Sequence, residues 1–298
     1  MSHSVQTRRF YHYIPMMLVL LIWGSMGLPV TYALKELPPM VLLAGRCLIA
    51  VLLLLPFAIK EGRVLAAPGD RLYAFAAGLS GVFLNNAFYF YSVKYTSLTN
   101  IAIIFAMSPL LTALLARIFL GEKLTRRRCL GIAVAFAGAL FLLSGGKPAM
   151  LLHLSLNRGD VSEFFAALTC SIMTVLGKKI KNSSAIVVTL DGMFIALLVC
   201  IPSIFFLGQP LPSSVSYAAL GGLLYLGALG SACAYVLQQA SIQIIGAGAT
   251  AAFLNGTPAV AIVVALFVMG ESISSVQIVS SAVIFSGIFL NAGSRPEG

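Results

Sequence analysis

The chain has 298 residues, of which 59% are hydrophobic and only 9% are charged. Soluble globular domains carry about 25% charged residues, so this composition excludes a water-soluble fold and indicates an integral membrane protein. The net charge of +10 does not call for a nucleic-acid partner, because basic residues of membrane proteins usually mark one side of the bilayer.

The amino-terminal region has two basic residues, Arg8 and Arg9, before its first apolar run at residues 14–34. The apolar core of a signal peptide has about 7–15 residues, so this longer run is predicted to stay in place as a first membrane span. The five cysteines form no Cys-x-x-Cys pair, and the three histidines lie outside the apolar segments. We therefore expect no disulfide framework, no metal site and no cofactor.

Ten segments reach the length of about 20 mostly apolar residues that a transmembrane helix needs. They predict an all-α integral membrane protein whose spans 1 to 10 are residues 14–34, 39–59, 72–91, 98–120, 128–146, 159–177, 185–207, 216–236, 245–269 and 275–293. Short connectors rich in Pro and Gly separate many of them. The longest break, residues 145–158, divides the chain into halves.

The two halves resemble each other. The stretch 108–138 recurs without a gap at 257–287, an offset of 258 − 109 = 149 residues. The offset pairs Pro109 with Pro258, Gly121 with Gly270, Glu122 with Glu271 and Gly138 with Gly287, and upstream it pairs Gly78 with Gly227, Gly81 with Gly230 and Ser92 with Ser241. We predict a first repeat at 1–146, a loop at 147–158 and a second repeat at 159–298. Because each repeat has five spans, an odd number, the second is inserted upside down, as in many secondary transporters.

Helix starts and loop charges give further expectations. Thr125 is predicted to cap span 5, and Ser274 with Gln277 forms a capping box for span 10. Glu122 and Glu271 are interpreted as parts of surface turns, with a coupling or catalytic role as the alternative. When the amino terminus is placed in the cytoplasm, fourteen Lys and Arg residues fall inside and five outside. This bias predicts cytoplasmic amino and carboxyl termini in a cell (inner) membrane.

Several of these motifs together resemble one family. They are Trp23-Gly24-Ser25, Arg46 to Ala50, Ser108-Pro109, Gly121 to Thr125 and Gly131 to Gly138. The chain is similar to the EamA-domain branch of the drug/metabolite transporter superfamily. The second copy departs from the pattern, with Thr257 before its proline and no basic cluster after Glu271. The resemblance implies two five-span repeats, a central substrate cavity, and export or uptake of small metabolites, commonly amino acids or related compounds.

Polar side chains inside spans 3 and 8 are the first candidates for a substrate site. Span 3 carries Asn85, Asn86 and Tyr89, and the offset places Asn86 on Tyr235 and Tyr89 on Gln238 in span 8. Residues three apart share a helix face, so each repeat presents a polar stripe that is predicted to line one cavity. The alternative is helix–helix hydrogen bonding, worth about 0.6 kcal/mol per bond on average.

Further candidates lie near helix breakers. Trp23, the single tryptophan, sits in mid-span rather than at the interface, which fits a cavity-lining role, with simple packing as an equal alternative. Asn255 precedes Pro258 by three residues, where freed carbonyls suit substrate binding. Pro29, Pro109 and Pro258 are hypothetical hinges.

Three charged residues fall inside spans. Arg46 in span 2 is interpreted as structurally paired, and the alternatives are that it snorkels outward or holds a substrate carboxylate. Glu163 and Asp191 lie near the ends of spans 6 and 7 and are expected at the membrane interface. Span 1 contains no carboxylate, unlike the related small multidrug resistance proteins, which disfavours proton antiport of cations by their mechanism.

The sequence thus favours a secondary transporter that moves a small polar or amphipathic metabolite. The resemblance implies an amino acid or a related compound as the substrate and export as the direction. The alternative is efflux of lipophilic cations by proton antiport. No His-Glu-x-x-His or Gly-x-Ser-x-Gly motif or close carboxylate pair within the spans supports an enzyme. The partners expected are a metabolite, the lipid bilayer and, as one option, a coupling proton; a monomer is compatible with the sequence.

Overall fold

A computed structural model describes residues 11–96, 98–147, 149, 157–269 and 274–292. These residues form helices joined by short loops, with no strand among them, which confirms the all-helical prediction. Glu271, the predicted counterpart of Glu122, lies outside the described residues, as does most of the loop predicted at 147–158.

The helices follow the ten predicted spans. In repeat one they are Ile14–Gly24 and Gly27–Leu34 (span 1), Pro39–Lys60 (span 2), Arg71–Ala77, Gly78–Leu84 and Asn85–Tyr95 (span 3), Leu98–Phe105 and Ser108–Leu120 (span 4), and Arg126–Leu143 (span 5). In repeat two they are Arg158–Lys179 (span 6), Ala185–Phe206 (span 7), Tyr217–Tyr225, Leu226–Cys233 and Ala234–Ile245 (span 8), Ala247–Leu254 and Thr257–Met269 (span 9), and Ser275–Ala292 (span 10).

Five helices among the described residues are long and apolar enough to cross a membrane, and the two helices of span 1 would together make a sixth. Those five belong to spans 2, 4, 6, 7 and 8. Span 9 is interrupted after Leu254, and span 10 contains a shorter apolar helix at Ser275–Asn291. The chain is therefore a membrane protein with several spanning helices.

Span 1 differs from the single helix that its hydropathy predicts, because it bends by 41° between Gly24 and Gly27. The Ser25 hydroxyl lies 2.7 Å from the Leu21 carbonyl oxygen and 2.6 Å from the Tyr225 hydroxyl of span 8. Serine hydroxyls that bond to the preceding helical turn compete with the backbone ladder and commonly bend helices. Tyr225 holds the bend against the other repeat.

The capping predictions are confirmed. Thr125 Oγ1 accepts a hydrogen bond from the Arg128 amide at the start of span 5. At span 10 the Gln277 amide donates to Ser274 Oγ, and the Ser274 amide donates to Gln277 Oε1. Glu122 forms an ion pair with Arg128 at 2.5 Å, which supports its interpretation as part of a turn.

The contacts between helices recur when the two repeats change places. Span 5 packs along span 10 and span 2 along span 7. Span 1 packs against spans 8 and 9, just as span 6, its counterpart, packs against spans 3 and 4. This exchange is the pattern of a two-fold axis that relates the repeats.

The contact between spans 5 and 10 shows the two-fold relation at single residues. A Cβ atom on Gly138 would lie 3.0 Å from the backbone nitrogen of Ile284, and one on Gly287 would lie 2.3 Å from the backbone nitrogen of Ala135. The offset of 149 places Gly138 on Gly287 and Ala135 on Ile284, so the same contact occurs twice. Small residues at these sites allow the backbones to approach closely.

Candidate functional site

Two π-helical segments mark the centre of the molecule. Gly78–Leu84 in span 3 and Leu226–Cys233 in span 8 occupy equivalent positions, because the offset places Gly78 on Gly227. Wide helical turns of this kind are rare and occur frequently at functional sites, since they displace backbone groups from the regular ladder. Most of the predicted site residues lie in or beside these segments.

Arg46 lies between the two segments and contacts both repeats. Its Nε donates a hydrogen bond to Ser231 Oγ at 2.7 Å, and its Nη1 donates to Asn86 Oδ1 at 3.4 Å. Its side chain is 8% exposed, and no carboxylate pairs with it among the described residues. The site therefore has a buried cation whose charge the described residues leave unneutralised.

Aromatic rings flank this cation. Trp23 Nε1 donates to the Gly230 carbonyl oxygen at 3.0 Å, inside the π-helical segment of span 8. The Trp23 ring meets the Tyr235 ring edge to face, with centroids 5.5 Å apart. Tyr235 in turn lies beside Asn86 and within the electrostatic reach of Arg46. The structure thus brings four predicted residues, Trp23, Arg46, Asn86 and Tyr235, into one cluster, which also contains Ser231.

A small cavity of about 30 Å³ lies next to the cluster, between spans 3, 6, 7 and 8. Its polar lining comes from Tyr235, Gln238, Gln239 and Thr189, and its apolar lining includes Gly78 and Met173. Gln238 is 1% exposed, and its Nε2 has no hydrogen-bond partner among the described residues. A cavity of this size holds about two water molecules.

Asn85 and Gln239 have mainly structural contacts. Asn85 Nδ2 donates to the Ala166 carbonyl oxygen at 2.9 Å, and Gln239 Nε2 donates to the Gly177 carbonyl oxygen at 3.0 Å. Both bonds tie span 6 to a neighbouring span. For Asn85 this is the helix–helix alternative considered above rather than a place in the cluster.

Asn255 and two of the prolines lie at helix breaks. Span 9 breaks between Leu254 and Thr257, and span 4 breaks between Phe105 and Ser108, so Pro258 and Pro109 each follow a break by two positions in sequence. Asn255 is buried, and its Nδ2 has no described partner. Pro29 lies within Gly27–Leu34, past the bend of span 1. A hinge role for the three prolines stays a prediction.

Two carboxylates in spans 6 and 7 are buried against other parts of the chain. Glu163 is 0% exposed, and its Oε2 lies 2.6 Å from Ser92 Oγ in span 3. Asp191 is also buried, and its Oδ2 accepts a hydrogen bond from the Ala66 amide at 2.8 Å. Hydropathy places a residue along a span but not around it, so it could not show which parts of the chain cover these two side chains.

Tyr89 connects the central cluster with Glu163. It is half-buried, and it lies within electrostatic reach of both Arg46 and Glu163. The described residues contain no group of three His, Cys, Asp or Glu side chains that could hold a metal ion, and the five cysteines are free thiols.

Duplicated membrane helices with symmetric packing, broken spans and a polar cluster between the repeats are typical of membrane transporters. The model of the EamA-like transporter family matches residues 11–144 and 157–293. The chain therefore belongs to this family, and it is a transporter rather than an enzyme.

Two bacterial proteins similar to this chain are named as uncharacterized transporters. The uncharacterized transporter YyaM of Bacillus subtilis is 30% identical over 72% of this chain and 71% of its own length. The uncharacterized inner membrane transporter YedA of Escherichia coli K12 is 26% identical over 91% of this chain and 87% of its own. A crystal structure that covers 94% of this chain and 96% of its own superimposes with a TM-score of 0.78 at 18% identity, which shows a shared fold.

Proposed function

We propose that this protein is a secondary active transporter that exports a small polar or amphipathic metabolite, an amino acid or a related compound, by alternating access between its two repeats. The observation that carries the proposal is the buried guanidinium of Arg46, which bonds to Asn86 of repeat one and Ser231 of repeat two. A transported carboxylate supplies the negative charge that the described residues do not.

The chemistry of Arg46 suits this role. Burial of an unpaired charge is costly unless a partner enters with it. A guanidinium presents several N–H groups in one plane and binds carboxylates through two parallel hydrogen bonds. Only Nε and Nη1 have described acceptors, so the remaining N–H groups are free for a substrate.

The comparison of the repeats supports a functional rather than an architectural role for this cation. The offset places Arg46 on Ile195 in span 7, which packs along span 2. Repeat two therefore builds the equivalent helix with an apolar side chain at this position. The Trp23 and Tyr235 rings beside Arg46 offer faces for the apolar part or the ammonium group of an amphipathic metabolite.

Alternating access is supported by the paired interruptions of the helices. Both repeats have a π-helical segment in their third span and a break before the proline of their fourth. The 30 Å³ cavity is too small for an amino acid, so the substrate must enter when these spans have moved apart.

The first experiment is a thermal-shift screen of the detergent-purified protein with the common amino acids, their carboxyl amides and the lipophilic cation tetraphenylphosphonium. A ligand that binds only the folded state raises its stability by RT ln(1 + [L]/Kd). We expect stabilisation by at least one amino acid and not by its amide. Stabilisation by the lipophilic cation alone would contradict the proposal and favour multidrug efflux.

Arg46→Gln tests the residue directly. We expect the affinity for the stabilising amino acid to fall by about 30-fold or more, because loss of one partner of a buried charge pair costs roughly 2–5 kcal/mol. Lys94→Gln is the matched control, since it removes an exposed positive charge in span 3. Equal affinities of Arg46→Gln and Lys94→Gln would remove Arg46 from the site. Efflux of the same amino acid from proteoliposomes then tests the direction of transport.

A further inference from the structure

Glu163 is a buried carboxyl group that the proposed substrate site does not use. It is 0% exposed in span 6, and its described hydrogen-bond partner is Ser92 of span 3. The second carboxyl oxygen, Oε1, accepts no hydrogen bond from any described residue. An ionised carboxylate in such a place needs a cation or several donors to offset its lost hydration.

The hydrogen-bond geometry at Ser92 is satisfied best when Glu163 carries a proton. Ser92 Oγ lies 2.7 Å from the carbonyl oxygen of Tyr89 and 2.6 Å from Glu163 Oε2. A hydroxyl has one proton to donate, and a backbone carbonyl only accepts. With a proton on Oε2, Glu163 donates to Ser92 and Ser92 donates to Tyr89, so both short contacts are hydrogen bonds.

No positive charge neutralises Glu163 among the described residues. Its electrostatic neighbours are Tyr89 on span 3 and Cys170 on its own helix, both ordinarily neutral near pH 7. Arg46 lies within electrostatic reach of Tyr89 but forms no ion pair with Glu163 among the described residues. Spans 4, 8 and 9 also pack against span 6: Arg117 lies at the far end of span 4, Tyr235 of span 8 lies beside Arg46, and the described part of span 9 has no ionisable side chain.

The equivalent positions in the other repeat show whether the fold requires a carboxyl group at position 163. The offset places Glu163 on Ile14 and Ser92 on Ser241. Ser241 is buried like Ser92, but its hydroxyl donates to the Leu237 carbonyl oxygen of its own helix. The serine is therefore common to both repeats, whereas the carboxyl group occurs in one, so helix packing alone does not require it.

Polar side chains cluster near Glu163 at the adjoining ends of spans 3 and 6. One helical turn before Glu163, the Asp160 carboxylate accepts hydrogen bonds from Thr96 Oγ1 at 2.6 Å and from Asn100 Nδ2 at 3.2 Å. On span 3, Tyr89 lies within electrostatic reach of both Glu163 and Arg46. Glu163 therefore has polar neighbours both one turn away on its own helix and on span 3.

We infer that Glu163 is the proton-binding site of this transporter, where a proton is held on Oε2 in the described conformation and released in another, coupling proton movement to substrate transport. Release breaks the O–H bond of the carboxyl group and leaves the carboxylate, and reprotonation restores it. The coupling half of this inference rests on the proposed transport function, whereas the protonation half does not.

Infrared spectroscopy of the purified protein at neutral pH tests the protonation. We expect the C=O stretching band of a protonated carboxyl group in the unmodified chain and its loss in Glu163→Gln. Ser92→Ala should shift the band, because it removes the hydrogen-bond partner, while Ser241→Ala, the matched control, should leave it unchanged. Absence of the band from the unmodified chain, or its persistence in Glu163→Gln, would overturn the inference.

Proteoliposomes loaded with radiolabelled amino acids test the coupling. We expect Glu163→Gln to retain exchange of internal for external amino acid and to lose accumulation driven by an imposed pH gradient, falling to the level of protein-free liposomes. Gradient-driven accumulation in Glu163→Gln would contradict the inference alone. If the unmodified chain shows no exchange at all, the amino-acid proposal fails, and the infrared result still decides whether Glu163 holds a proton.

Discussion

The two faces of the molecule are closed by equivalent loops in different ways. On the basic face, the face that carries the loops at 61–70 and 180–184, the loop of repeat one bonds to the loop of repeat two. On the opposite face, residues 35–40 bond to residues 209–216. The offset of 149 takes residue 36 to 185 and residue 67 to 216, so the same pair of loops meets on each face.

We call the contact between the two loops of one face its clasp. The clasp on the basic face is buried. The Asp70 carboxylate is 2% exposed and accepts hydrogen bonds from the Asn182 amide at 2.7 Å, the Ser183 hydroxyl at 2.8 Å and the Lys181 amide at 3.3 Å. Asp191 adds a bond to the Ala66 amide. Hydrogen bonds to ionised acceptors are stronger than neutral ones, and more so when water is excluded.

The clasp on the opposite face is exposed. Glu36 accepts hydrogen bonds from the Ser216 amide at 2.7 Å and from the Ser216 hydroxyl at 2.5 Å, both in contact with solvent. Gln209 Oε1 accepts a further bond from the Met40 amide. Exposed charged contacts contribute little because water competes for them. The described conformation is therefore held more firmly at the basic face, which the charge bias predicts to be cytoplasmic.

Removal of the Asp70 carboxylate should have the largest effect on the difference in stability between the two clasps. We expect Asp70→Ala to lower the free energy of unfolding by roughly 3 kcal/mol, because each buried donor left without a partner costs about 1–3 kcal/mol. Denaturant unfolding in detergent measures the change, and Glu36→Ala on the opposite face is the control. Equal losses in the two variants would show that burial does not distinguish the clasps.

Acidification should weaken the clasp on the basic face, and the loss of stability should be smaller than in Asp70→Ala. Burial alone would raise the pKa of Asp70, but the hydrogen bonds from Ser183, Asn182 and Lys181 outweigh it and hold the pKa below its ordinary value. Its stabilisation is therefore complete above the unfolded pKa of about 3.9 and is lost as the pH falls through the lower folded value. Melting temperatures measured from neutral to acidic pH should fall less steeply for Asp70→Asn than for the unmodified chain; parallel curves would assign the acid sensitivity to other groups.

The smallest effect is expected at Glu36. Its pKa is also lowered, by hydrogen bonds from the Ser216 hydroxyl and amide, but the group is exposed and well screened. Glu36→Gln should leave the melting temperature unchanged within error. A clear fall would show that the exposed clasp also carries stability, and the contrast between the faces would have to be revised.

Much of the fold could be predicted because hydropathy and repetition are properties of the sequence. The apolar runs gave the ten spans, and the recurrence of Pro109 as Pro258 anticipated equivalent features in spans 4 and 9. The helix starts at Thr125 and Ser274 followed from side-chain chemistry alone. The π-helical segments could not be foreseen, since the wide turn depends on contacts between helices; Gly78 and Gly227 mark both segments but suit ordinary packing equally well.

The site was predictable only in part, because the contacts of a side chain depend on the rotation of its helix and on the neighbouring helices. Polar side chains in apolar spans drew attention to Asn86, Tyr235 and Arg46, which the structure brings into one cluster. Asn85 carries the same side chain one residue earlier, and the rotation of the helix points it at span 6 instead. The burial of Glu163 could not be read from its own span, because its partner Ser92 belongs to span 3 and lies 71 residues away in sequence. Its position relative to the membrane interface stays a prediction. The repeat boundaries stay a prediction.

The doubled glycine contact between spans 5 and 10 has a consequence for how the molecule is held together. A surface that meets its own copy, with residue roles exchanged, is the isologous interface of a two-fold dimer. Here both halves of that interface belong to one polypeptide, so its formation does not depend on protein concentration as dimer association would. Residues 138 and 287 therefore belong to one symmetric interface between spans 5 and 10. A larger side chain at either site obstructs the approach of the same two helices.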